Sequence, residues 1–122
     1  MPILTVEIVV SPSEKINENF ASQLAQRAGE IFASGTSNTW VKVFPILQAY
    51  YAENDEGVTA VNPIFVSVLK AHLPDNSMMA REVKELTTAV ATLSQRPTEN
   101  IHIIYLPEGN GRVAFGGKLV GS

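Results

Sequence analysis

The chain has 122 residues, of which 45% are hydrophobic and 17% charged, with a formal net charge of -3 and no cysteine. That length can bury a core without staples, and the missing cysteines exclude disulfides, thiolate metal sites and a cysteine nucleophile. With only His72 and His102 as histidines, no metal site is expected. A net negative charge argues against nucleic acid or an anionic membrane as partner, because both select clustered positive charge. No apolar run approaches the roughly 20 residues of a membrane span. Met1 to Glu7 carries no basic region of the kind that opens a secretory signal, so a soluble, cytoplasmic protein is expected.

In chain order, Leu4, Val6, Ile8 and Val10 alternate along a β-branched segment that reads as a buried strand. Ser11-Pro12-Ser13-Glu14 then fits a capping box with proline at the first helical position. Ile16, Phe20, Leu24, Ala28, Ile31 and Phe32 recur at spacings of three and four, which predicts an amphipathic helix ending before Gly35. Trp40-Val41-Lys42-Val43-Phe44 opens a second strand, and Pro45 assigns it to a sheet edge or a bulge. A polar tip from Glu53 to Gly57 follows.

The order then repeats. Pro63 to Lys70 reads as a strand, Met79, Val83, Leu86, Val90 and Leu93 as a helical stripe, and Ile101 to Leu106 as a fourth strand. Pro2-Ile3 recurs as Pro63-Ile64, and Leu24, Ala28 and Ile31 recur as Leu86, Val90 and Leu93. The reading is one α+β domain over 1-122, built from two tandem β-α-β units (2-61 and 62-122) that form a four-stranded sheet with both helices on one face. The strands look apolar on both sides, so the face opposite the helices is expected to meet protein, most simply another copy of the chain. The tail Gly109-Asn110-Gly111-Arg112-Val113-Ala114 formally fits a dinucleotide-binding turn, but no helix follows it. A glycine-supported hairpin with a short terminal strand is the better reading.

Removal of Met1 would leave Pro2 as a free secondary amine. The α-amino pKa is ordinarily about 7.7 to 8.0, and a low-dielectric pocket lowers it, so such a group can hold a lone pair at neutral pH and act as general base. Lys42, on a strand between two valines, fits either a carboxylate contact or a solvated side chain. His102, in the matching place of the second unit, fits a ligand contact or a satisfied structural histidine. Arg112 fits an anion contact or a surface charge, and Tyr50 and Tyr51 fit a pocket wall or simple packing. No serine, histidine and aspartate spacing suggests a hydrolase.

Together these residues resemble the tautomerase superfamily, above all a fused 4-oxalocrotonate tautomerase, and also 5-carboxymethyl-2-hydroxymuconate isomerase and macrophage migration inhibitory factor. The resemblance rests on Pro2-Ile3 opening a strand, the Val41-Lys42-Val43 strand core, and the closing run from Pro97 through Ile101-His102-Ile103 to Phe115-Gly116-Gly117-Lys118-Leu119. It implies a cofactor-independent isomerase in which Pro2 moves a proton between carbon and oxygen of an enol or α-keto acid. It also implies Lys42, Arg112, His102, Tyr50 and Phe115 as substrate-binding residues, and a homotrimer as the assembly. The alternative it leaves is a catalytically silent trimer of the same fold that serves as a binding or interaction protein. Pro12 and Lys42 stand where relatives carry arginines, and Val113 where they carry an aromatic wall, with Phe115 the nearest substitute. Lys70-Ala71-His72 replaces the paired arginines of the dehalogenating relatives.

Overall fold

The computed structural model describes residues 2-54 and 62-121. Its central sheet holds β1 (Ile3–Val10), β2 (Trp40–Leu47), β3 (Ile64–Leu69) and β4 (Ile101–Tyr105) in the order β2-β1-β3-β4. β1 and β2 are parallel, β3 and β4 are parallel, and the two pairs meet antiparallel along β1 and β3. The helices α1 (Phe20–Phe32) and α2 (Asn76–Ser94) make the two crossovers and pack on one face. β5 (Ala114–Phe115) and β6 (Lys118–Leu119) form the closing hairpin, as the glycine-rich tail predicts. The polar tip expected from Glu53 to Gly57 lies outside the described residues after Asn54.

Alternation builds the core. Leu4, Val6 and Ile8 stand beside Val68, Val66 and Ile64, all essentially buried, and close on Leu24, Ala28 and Ile31 of α1 and Leu86 and Val90 of α2. The intervening residues form the opposite face, on which Trp40, Phe44 and Ile104 are each about half exposed. Pro45 lies on β2, an edge strand, where its missing N–H costs no ladder bond.

Two expectations are corrected. The Ser11 to Glu14 box closes a turn and starts no helix: Ser11 N–H donates to Glu14 Oε1 at 3.3 Å, and α1 begins only at Phe20. The reason is tertiary, because the Arg96 guanidinium, buried in the second unit, takes the Glu14 carboxylate at 2.8 Å and also donates to the Asn62 carbonyl. Ile16 still reaches the core, from a loop. The second correction concerns the repeat. Pro2 is in phase with Leu4, on the helix side, whereas Pro63 is one residue out of phase with Ile64, so the two prolines belong to opposite faces. A match offset by an odd number cannot preserve side-chain direction in a structure of period two.

Candidate functional site

Pro2 is buried at the amino-terminal end of β1, and its carbonyl accepts from Trp40 N–H at 3.0 Å. The next residue, Ile3, pairs with Trp40 on one side and Leu69 on the other. Continuing the β1/β3 register by one residue sets Pro2 opposite Lys70. The chain leaving β4 turns across this same end of the sheet. Gly109 N–H donates to the Lys70 carbonyl at 2.8 Å and Asn110 N–H to the Ala71 carbonyl at 3.0 Å. The hairpin then brings Phe115 edge-on to Trp40, with ring centroids 5.1 Å apart and planes at 83°. Gly116 and Gly117, with φ of 56° and 89°, supply the left-handed backbone that this turn requires. One chain thus brings Pro2, Trp40 and Phe115 to a single end of the sheet.

The other sequence-derived residues lie at varied distances from that end. Lys42 is exposed on the sheet face opposite the helices, two residues along β2 from Trp40, and its Nζ lies 6.0 Å from the Phe44 ring centroid, on the far side from Trp40. Arg112 is in the hairpin approach, where its guanidinium donates to the Glu108 carbonyl of its own loop, with Nε at 2.9 Å. His102 lies on β4 against Phe65, ring centroids 5.2 Å apart. Because β4 and β2 are opposite edges, His102 and Lys42 are separated by three strand spacings, about 14 Å. Tyr50, 81% exposed, follows the far end of β2, a strand length of about 26 Å from Pro2. Within one chain neither Tyr50 nor His102 meets Pro2.

A group not foreseen from sequence sits at the same end of the sheet as Pro2. Glu82 of α2 is 2% exposed and accepts from Lys70 Nζ at 3.0 Å and from the Tyr105 hydroxyl at 2.5 Å. The Lys70 ammonium also lies 4.8 Å from the Phe32 ring centroid at the end of α1. Burial, then the hydrogen bond to Glu82 and its charge, push the Tyr105 phenol well above its ordinary value, so it remains a donor. The signal was present in the sequence: Glu82 occupies the apolar stripe that continues through Leu86 and Val90. A shallow concavity along α1, lined by Ser22, Ala25, Gly29 and Thr36, holds Glu30 as its one ionisable side chain, and that carboxylate faces Arg27 at 3.6 Å. Among the described residues no cluster of three or more His, Cys, Asp or Glu is placed to hold a metal ion, and no helix is long and apolar enough to cross a membrane.

No family model matches the sequence, and no curated protein matches it. Solved structures do match. A fused 4-OT, described as a wild-type symmetric trimer, superposes with a TM-score of 0.75 over 97% of this chain and 94% of its own, at 11% identity. The macrophage migration inhibitory factor from Trichinella spiralis gives a TM-score of 0.73 over 96% and 98%, at 13% identity. FG41 malonate semialdehyde decarboxylase gives 0.72 over 98% and 91%, at 12% identity. The chain has the tautomerase fold. Because the coverage is nearly complete in both directions, the tautomerase fold accounts for both β-α-β units and the closing hairpin. At these identities the likeness is one of fold, and any chemistry must be argued from the residues this chain carries.

Proposed function

We propose that the protein, once Met1 is removed, is a cofactor-independent keto–enol tautomerase with Pro2 as general base, acting on an enol or α-keto acid. The observation that carries this reading is Pro2 itself, buried at the amino-terminal end of β1, the end of the sheet where Trp40 and Phe115 pack together. A neutral amine there takes the hydroxyl proton of the enol as the electron pair closes to a carbonyl. The resulting prolinium returns a proton to the adjacent carbon, so the reaction is a net isomerisation without redox change. Lys42 is the carboxylate contact on the same chain once its side chain swings away from Phe44.

The assembly is a homotrimer in this reading. What supports it is the half-exposed apolar face of Trp40, Phe44 and Ile104, together with the trimeric description of the fused 4-OT neighbour. Subunit packing would bring Tyr50, His102 and Arg112 of one chain towards the Pro2 of another. The competing reading, a silent trimeric binding protein, draws on the Lys42 side chain lying over Phe44 and away from the Pro2 end.

Intact mass and turnover separate the two. Protein whose mass shows Pro2 as its first residue should ketonise phenylenolpyruvate, and Pro2→Ala should lose about tenfold or more in kcat/KM. The loss is incomplete because alanine keeps a primary amine. Equal rates for the two proteins, or a retained Met1, would defeat the enzyme reading.

A further inference from the structure

A buried ion pair has no obvious place in the core of so small a protein. Replacing such a pair by packed hydrophobic residues is often neutral or stabilising, so its presence calls for a reason other than stability. The chain contains its own comparison. Leu24, Ala28 and Ile31 match Leu86, Val90 and Leu93 at an offset of 62 residues, and the same offset carries Lys70, Glu82 and Tyr105 onto Ile8, Phe20 and Val43. Ile8 and Phe20 are buried core residues, and Val43 packs partly buried against that core. The first unit therefore closes with hydrocarbon where the second closes with an ammonium, a carboxylate and a phenol, and that polar group is at the end of the sheet that carries Pro2.

Directly opposed residues of antiparallel strands have Cβ atoms about 5 Å apart, and extending the register one residue past Ile3 and Leu69 places Lys70 opposite Pro2. Both side chains are on the helix side, since Lys70 reaches Glu82 of α2 and Phe32 of α1. Glu82 comes from the helix layer and meets only the tip of the lysine, while Tyr105 occupies its second oxygen. Lys70 is thus the member of the group whose backbone the extended β1/β3 register brings beside Pro2. Other charges face away or are committed. The last turn of α1 offers Phe32, Trp40 and Lys42 of β2 both lie on the opposite sheet face, and the hairpin offers Phe115 paired to Lys118, with Arg112 bound to the Glu108 carbonyl.

We propose that Lys70 is a positioning residue whose ammonium, oriented by Glu82 and Tyr105, disfavours protonation of the Pro2 amine and keeps it available as a base near neutrality. This deepens the tautomerase reading and rests on it for its functional meaning, but the electrostatic effect is measurable without turnover. A like charge on the residue opposite raises the cost of the prolinium, and Glu82 moderates that cost by partial neutralisation.

The test is the titration of Pro2 by 15N NMR in proline-labelled protein whose mass shows Pro2 as the first residue. Lys70→Met should raise the midpoint by about one pH unit, because a cation is removed and Glu82 is left facing the amine. Glu82→Gln should lower it, because the lysine charge is then uncompensated. Lys70→Arg keeps the charge and should leave the midpoint near that of the parent. If Lys70→Met does not fold, Glu82→Gln and Lys70→Arg carry the test. Unchanged midpoints in folded variants, or shifts of the same sign for Lys70→Met and Glu82→Gln, overturn the proposal. Opposed shifts in a protein with no turnover would uphold it while defeating the enzyme reading, and a retained Met1 overturns both.

Discussion

The two β-α-β units share strand order, helix placement and register, yet they close their helix-sheet junctions with opposite chemistry. In the first unit the matching positions Ile8, Phe20 and Val43 are hydrocarbon in or against the core, and in the second Lys70, Glu82 and Tyr105 meet as a hydrogen-bonded ionic group. Hydrocarbon contacts tolerate imperfect geometry, because dispersion and burial have little directionality. An ionic group does not, since any member left without its partner is a buried charge. The second junction therefore tolerates replacement only when its members change together, and it sits at the end of the sheet that carries Pro2.

That contrast can be broken by substitution and read by urea unfolding. Phe20→Ala should cost about 3–5 kcal/mol through cavity formation, and Glu82→Ala a similar about 3–5 kcal/mol by stranding Lys70 and Tyr105. The two differ in what restores them. Lys70→Met combined with Glu82→Leu should recover most of the loss, because the pair is then replaced as a unit. A double variant as unstable as Glu82→Ala would show that the ionic junction is needed for packing itself.

A smaller effect sharpens the same comparison through pH. Tyr105→Phe removes one donor from Glu82 and should cost about 1–3 kcal/mol at neutral pH. The folded-state phenol is raised above its unfolded value of 10.0. Its stabilisation is thus complete below that value and is lost as pH climbs beyond it, when the unfolded phenol ionises and the folded one does not. Chemical denaturation at stepped alkaline pH should show a steeper decline for the parent than for Tyr105→Phe. Parallel declines would remove Tyr105 from the junction's energetics.

The smallest contrast is between the helix starts. Asp75 caps α2 by accepting from Met78 N–H at 2.8 Å, whereas Asn19 before α1 makes no side-chain cap bond. Asp75→Ala should cost about 1 kcal/mol, and Asn19→Ala should cost at most a few tenths. Equal costs measured by thermal unfolding would mean that α1 gains a cap in solution.

Much of this was legible from the chain alone, because the signals are local. Period-two alternation marks β1 and β3, spacings of three and four mark both helices, Pro45 marks an edge, and paired glycines mark the hairpin. Pro2 at a strand start was legible for the same reason, as was Phe115 beside the hairpin turn. Trp40 reads in the sequence as the opening of a strand but not as the partner of Phe115, since that contact joins residues 75 positions apart. The start of α1 was misread because Ser11 to Glu14 satisfies a local rule, while Arg96 claims Glu14 from across the fold. The repeat was misread by one residue at its prolines because alignment by residue type ignores which face a strand residue must take. Glu82 stood in plain view on an apolar stripe, but its partners come from β4 and from the end of β3. Local periodicity is written in neighbouring residues and so belongs to the sequence. Register, and with it the meeting of Pro2, Lys70 and Glu82, depends on which strands pair and how far they slide, and only the packed tertiary structure decides that.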